Sequence, residues 1–179
     1  LGSTEPQEAL LGAVQAARAA GVVVVAAVGN LGAELAIIWP AGDDAALGVA
    51  ALDPTDARAG FSSFGPQVFI SAPGVDVEGP VPGALYRGSE GTSFAAAFVS
   101  GAAALARAGF PALTRDELVA AIALGAAPID AANPGLEGAL GAGRVDLAGI
   151  FGVEVLADVD GDGQVALGDV LAVLASFGD

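Results

Sequence analysis

Apolar residues recur at helical spacing through residues 6–20, where Leu10, Leu11, Val14 and Ala17 fall on one face. Pro6 suits a first helical turn and Gly21 a C-terminal stop, so the spacing predicts a helix across this stretch. Val22-Val-Val-Val-Ala-Ala-Val28 follows at once, a continuous apolar run of the kind buried in a parallel sheet. Residues 47–52 and 68–71 read as further buried strands. Turn signals bound them at Gly42-Asp-Asp44, Asp53-Pro54, Gly65-Pro66 and Pro73-Gly74. Gly91-Thr-Ser93 then opens a long alanine-rich helix to about Ala108. Thr114-Arg-Asp-Glu117 has the form of a capping box for another helix ending near Gly125, and a short helix is expected around Asp146–Phe151. Strands mixed with helices in this way predict an α/β layered fold, a parallel sheet flanked by helices. After residue 152 the texture changes to an Asp-Gly-rich loop and a short apolar helix. The expected organisation is a main domain over 1–152 and a small module over 153–179.

Composition narrows the chemistry. The 179 residues are 54% hydrophobic and 15% charged, which favours a folded chain over a disordered one. Acidic residues number 21 against six basic ones, all arginine, and a formal charge of −15 argues against a phosphate backbone as partner, so no nucleic acid is expected. The uncharged stretch from Gly91 to Ala106 falls short of a membrane span, so no membrane is expected either. Without cysteine there is no disulfide framework and no thiolate nucleophile; without histidine these residues alone hold no imidazole base. With no methionine and no signal-like start, the chain is expected to begin inside a domain.

One segment changes this picture. In Gly91-Thr92-Ser93-Phe94-Ala95-Ala96-Ala97-Phe98-Val99-Ser100-Gly101, a serine falls in the first turn of a helix. Its hydroxyl there lies near unpaired backbone N–H groups and the positive end of the helix dipole. A nucleophile attacking a carbonyl gains from that place, because its own N–H can stabilise the developing oxyanion. A serine or threonine before an apolar helix is also an ordinary N-cap. The stretch resembles the serine motif of the subtilases, Gly-Thr-Ser-x-Ala-x-Pro, with Ala97 standing where that family has proline. Further segments resemble the family's in order. They are Leu1-Gly2, Val24-Val-Ala-Ala-Val-Gly29-Asn30, Phe61-Ser-Ser-Phe-Gly65 with Ser71-Ala-Pro-Gly-Val-Asp76, and Gly141-Ala-Gly-Arg-Val-Asp146.

The resemblance implies a three-layer subtilisin-like fold over residues 1–152 and a secreted serine endopeptidase acting on peptide or protein substrates. It implies Ser93 as nucleophile and Asn30 as side-chain donor of the oxyanion hole. Leu1, Gly2 and the backbone of Ala26, Ala27, Val28 and Gly29 would wall the pocket for the residue before the scissile bond. The family's catalytic aspartate and histidine belong to segments expected before residue 1, so this chain alone is expected to be inactive. Glu90 stands three residues before Ser93, a spacing that does not aim its carboxylate at the hydroxyl. The related sedolisins replace the histidine with acidic residues but place an aspartate where this chain has Asn30, which favours the subtilases. Loss of the family's proline at Ala97 is expected to loosen the nucleophile's placement. That loss also motivates an alternative, a degenerate non-catalytic module serving calcium-dependent binding or assembly.

The tail carries a second pattern. Asp158, Asp160 and Asp162 occupy positions 1, 3 and 5 of a calcium loop, Gly163 its sharp turn, the Gln164 carbonyl position 7 and Asp169 position 12. Carboxylates packed this closely repel unless a cation lies among them, which points to calcium. Asp-Gly turns in a solvated linker are the plainer reading of the same residues. The segment resembles a single dockerin-type repeat, a small helical calcium-loop unit of which dockerins pair two. A second repeat or a cohesin-like partner is what that resemblance offers for the helix face of Val170, Leu171, Val173 and Leu174.

Overall fold

The computed structural model describes residues 2–34 and 37–152. A first helix, α1 (Glu8–Ala19), leads into strand β1 (Val24–Ala27), followed by β2 (Ala46–Leu52) and β3 (Val68–Pro73). These three form a parallel sheet in the order β1-β2-β3, with Val24 opposite Ala46, Ala27 opposite Val49 and Leu52 opposite Pro73. A hairpin, β4 (Val77–Val81) and β5 (Leu85–Ser89), precedes the long helix α2 (Thr92–Gly109). Helices α3 (Arg115–Leu124) and α4 (Leu147–Gly152), with a single 3-10 turn at Asp130–Ala132 between them, complete the described elements.

The elements predicted within the described residues stand, with shifted ends, while the loop and short helix expected over 153–179 lie outside them. Helix α1 starts at Glu8, past Pro6, and presents Val14 as its buried residue, with Leu10, Leu11 and Ala17 partly buried on the same side. The apolar run enters the sheet at Val24 because Val22 belongs to the end of α1. Its N–H donates to the Ala17 carbonyl while Gly21 N–H donates to Arg18, a paired C-terminal closure. Strand β2 is buried along its whole length, as expected of a strand covered on both faces. The capping box of α3 is present in both directions: Glu117 N–H donates to Thr114 Oγ1 at 3.3 Å and Thr114 N–H to Glu117 Oε2 at 2.6 Å. The β4–β5 hairpin was not foreseen, because it is solvated along most of its length and so carries no inward apolar alternation.

Two cores flank the sheet. On one face Val49, Ala51, Ile70 and Ala72 meet Ala95, Val99, Ala102, Ala103 and Ala106 of α2, with Leu118, Ile122 and Ile150 behind. On the other, Ala46, Ala50, Leu52 and Val68 pack with Val14 of α1 and with Ile129 and Leu140. The alanine-rich face of α2 lets that helix lie close against the sheet, which fixes its N-terminus beyond the C-terminal ends of β1 and β3. Among the described residues no helix is long and apolar enough to cross a membrane.

Candidate active site

Chain direction brings the site together. In a parallel sheet every strand ends at the same edge, and the loops leaving that edge meet there. The loop after β1 begins with Val28, Gly29 and Asn30, and the N-terminus of α2 stands against it although 62 residues separate Asn30 from Thr92. Ser93 is the second residue of α2 and is exposed. Gly91 caps the helix with φ +146°, a conformation that side chains rarely adopt. A Cβ at that position would lie 3.3 Å from Asn30 Nδ2 and 3.9 Å from the Ser93 backbone nitrogen, so glycine lets the two groups face one another across a narrow gap.

Thr92 couples the two segments. It is 1% exposed, and its hydroxyl donates to Asn30 Oδ1 at 2.8 Å while accepting from Gly29 N–H at 3.2 Å. Its backbone N–H donates to the same Asn30 oxygen at 3.0 Å. A backbone N–H can only donate, so the Asn30 atom facing it is the oxygen and the amide nitrogen faces the other way. That nitrogen has no protein acceptor among the described residues, which leaves two N–H groups on the Gly91–Ser93 side. The carboxamide thus supplies the cap that Gly91, lacking a side chain, cannot give to α2.

Other motif residues brace the same loops. Ser63 N–H donates to the Gly29 carbonyl at 3.0 Å and Gly32 N–H to Phe61 at 2.7 Å, holding both sides of Asn30. Ser62 is buried; its hydroxyl accepts from Ala51 N–H and donates to the Ser63 carbonyl. Arg58 lies 4.6 Å over the Phe64 ring and donates to the carbonyls of Ala59, Gly60 and Ser62. Gly91 N–H donates to Gly74, whose own N–H donates to Leu52 at the end of β2. The closing turn seats on β3: Val145 N–H donates to Ser71 and Ser71 N–H to Gly143, both at 2.8 Å.

Of the residues singled out from sequence, Ser93, Asn30 and Gly29 meet at this junction. Ala26, Ala27 and Val28 form the end of β1 and its continuation, and Val28 N–H extends the pairing with β2 through the Val49 carbonyl. Gly2 lies alongside Ile38, where Ser3 pairs with Trp39. Leu1 falls outside the described residues, as do Asp158, Asp160, Asp162, Gln164 and Asp169. Among the described residues no group of three or more acidic side chains could hold a metal. Glu90 is exposed and makes no hydrogen bond with Ser93. Helix α2 runs unbroken through Ala97, so its regular ladder carries the first turn without the proline. One residue was not anticipated: Thr92, whose signal was its place between a cap glycine and a candidate nucleophile.

Comparison with known proteins shows the family. The model of the Subtilase family matches residues 2–143. A thermostable alkaline protease of Halalkalibacterium halodurans is 40% identical over 118 residues, covering 66% of this chain and 32% of that protein. Subtilisin BL of Lederbergia lenta is 46% identical over 107 residues, covering 60% of this chain and 39% of that protein. Among solved structures, the prenylagaramide maturation protease PagA superposes with a TM-score of 0.75 at 27% identity, over 84% of this chain and 56% of that one. The self-cleaved protease domain of PatA gives 0.74 at 31% identity, over 85% and 58%. The chain therefore spans about a third of the length of the curated relatives it matches. Its serine-bearing helix, braced carboxamide and parallel sheet belong together: this chain is a member of the Subtilase family.

Proposed function

We propose that this chain supplies the nucleophile and oxyanion hole of a secreted serine endopeptidase. The observation that carries the reading is the double anchoring of Asn30 Oδ1 on Thr92, which aims a free amide toward the start of the helix that bears Ser93. The histidine base and its aspartate would come from polypeptide outside these 179 residues, which contain no histidine. Ser93 Oγ attacks the peptide carbonyl carbon as its proton passes to the imidazole. The carbonyl oxygen becomes an oxyanion held by Asn30 Nδ2–H and Ser93 N–H. Collapse breaks the C–N bond, the amine leaves with the proton, and the acyl-Ser93 ester is hydrolysed by water. Preorganisation matters here, because donors already fixed by protein need no rearrangement when charge develops.

Residues 158–169 are proposed to bind calcium through Asp158, Asp160, Asp162, the Gln164 carbonyl and Asp169, on the spacing of their oxygen ligands alone. Calcium there would order the loop and takes no part in the steps above. A cohesin-like partner rests only on the single dockerin-like repeat.

The test is fluorophosphonate labelling of the complete gene product that carries this chain, with peptide mapping of the adduct. Labelling at Ser93, lost in Ser93→Ala, is expected. A folded product that takes up no probe at Ser93 would favour the non-catalytic binding module instead.

A further inference from the structure

Arg58 spends its charge on backbone. Among the described residues Arg18, Arg115 and Arg144 each pair with an aspartate. Arg58 instead aims one nitrogen, Nη1, at three carbonyls, those of Ser62 at 2.7 Å, Ala59 at 3.1 Å and Gly60 at 3.3 Å. Carbonyl oxygens converging on one point repel one another unless positive charge lies among them, so the guanidinium holds residues 59–62 in a tight turn. Ser62 N–H closes that turn on the Ala59 carbonyl at 2.8 Å. The cation is itself fixed. It lies 4.6 Å over the Phe64 ring, and Arg58 N–H donates at 2.7 Å to Oδ1 of Asn133, a side chain that is buried.

The clamped turn and the residue after it grip the Asn30 loop on both sides of Asn30. Gly32 N–H donates to the Phe61 carbonyl at 2.7 Å, and Ser63 N–H donates to the Gly29 carbonyl at 3.0 Å. The approach is close: a Cβ on Gly32 would lie 2.9 Å from the Gly60 oxygen, one of the three that Arg58 gathers. The Asn30 amide is therefore directed from two ends. Thr92 holds its oxygen, and the turn holds the backbone from which the side chain springs. The geometry points to Arg58 as a positioning residue for the oxyanion hole, a cation that sets the direction of Asn30 Nδ2 through the turn at 59–62. This inference rests on the proposed protease activity and on Asn30 as oxyanion donor. The other donor, Ser93 N–H, is placed by α2, so loss of the cation misaims one donor of the two.

The test is a double-mutant cycle between Arg58 and Asn30 in the complete gene product, read as kcat and KM on a peptide p-nitroanilide. Rates are referred to the concentration of Ser93 that fluorophosphonate labels at completion, so unfolded protein does not enter them. Arg58→Met keeps the length of the stem and removes the charge. It is expected to lower kcat about tenfold with KM held, since Thr92 still anchors the Asn30 oxygen. Asn30→Ala alone is expected to lower kcat by about 10²–10³, the loss known in this family for such a donor. In that background Arg58→Met should change kcat by less than about twofold, because the group it directs is gone. Should Arg58→Met fail to fold, Arg58→Lys is carried through the same cycle; it keeps the charge without the planar fork and should cost about threefold, again only when Asn30 is present. A loss of the same size with and without Asn30 marks a general structural role and overturns the inference, as does an unchanged kcat in both Arg58 variants; either leaves the protease reading standing. An Asn30→Ala protein with the parent's kcat overturns the oxyanion assignment and this inference with it. A parent protein that takes up no label at Ser93 overturns the protease reading as well.

Discussion

Thr92→Val removes one oxygen and keeps the shape of the side chain. Thr92 is 1% exposed, and its hydroxyl is committed in both directions, to Asn30 Oδ1 at 2.8 Å and from Gly29 N–H at 3.2 Å. In the variant the buried Gly29 N–H loses its acceptor, which costs about 1–3 kcal/mol. The hydroxyl–carboxamide bond is worth roughly 0.5–1.5 kcal/mol more, and the added methyl returns about 0.8 kcal/mol of burial. A net destabilisation of about 1–4 kcal/mol follows from those terms. Asn30 keeps one anchor, the backbone N–H of residue 92. Its amide therefore wanders without being lost, and kcat should fall about tenfold, well short of the 10²–10³ known in this family for removal of such a donor. KM should hold, because the interaction matters only once the oxyanion forms. Thr92→Ser restores the hydroxyl and should recover most of the rate. The assays are denaturant unfolding of the complete gene product, amide exchange at Gly29, and steady-state kinetics on an alanine anilide. A Thr92→Val protein with unchanged stability, unchanged Gly29 exchange and kcat within twofold of the original would refute the coupling argument.

Further outcomes are expected elsewhere. Asn30→Asp keeps an oxygen for both Thr92 donors and adds a negative charge at the α2 N-terminus, so stability should hold or rise while kcat falls by 10² or more, read by unfolding and kinetics together. The Asp53 carboxylate is held below its ordinary pKa, chiefly by the Thr55 hydroxyl and then by the N–H groups of Thr55 and Ala57. A group with a depressed folded pKa stabilises above the unfolded carboxylate range and loses that contribution as pH falls through its folded value. Asp53→Asn should therefore be less stable than the parent at neutral pH, with the gap closing in acid, as pH-dependent unfolding would read. Asp160→Ala with Asp162→Ala should abolish terbium luminescence sensitised in the complete product, if residues 158–169 form the proposed calcium loop.

Much of the frame was legible because burial imposes a period. The fully buried β2 and the one-sided α2 write their environments directly into the chain as an apolar run and as small residues at Thr92, Ala95, Val99, Ala102 and Ala106. The α3 start was legible for a different reason, since a capping box is made by residues three apart. The hairpin was hidden because Leu85, Tyr86 and Arg87 are exposed and Gly79, Pro80 and Gly88 interrupt any alternation. At the site, Ser93 and Asn30 were readable through motifs, but the geometry that joins them was not. Thr92 lies 62 residues from Asn30, and the hydrogen bonds between them arise only when the parallel sheet brings its loops to one edge.

The bracing also explains why motifs spread over more than a hundred residues act on one junction. Ser63 and Phe61 hold the Gly29–Gly32 loop, Gly74 holds Gly91, and Thr92 ties the loop to the helix. Each contact uses backbone groups that leave a sheet edge or a helix end and would otherwise lack partners. Satisfying them fixes the Asn30 amide and the Ser93 N–H relative to one another through bonds made wholly within this chain. The proposed electrophilic half of the site is thereby set by the fold of these residues, independently of whatever group accepts the serine proton. Mutations in the braces should then lower kcat without changing the pH dependence of the base, whereas changes at the base should do the reverse.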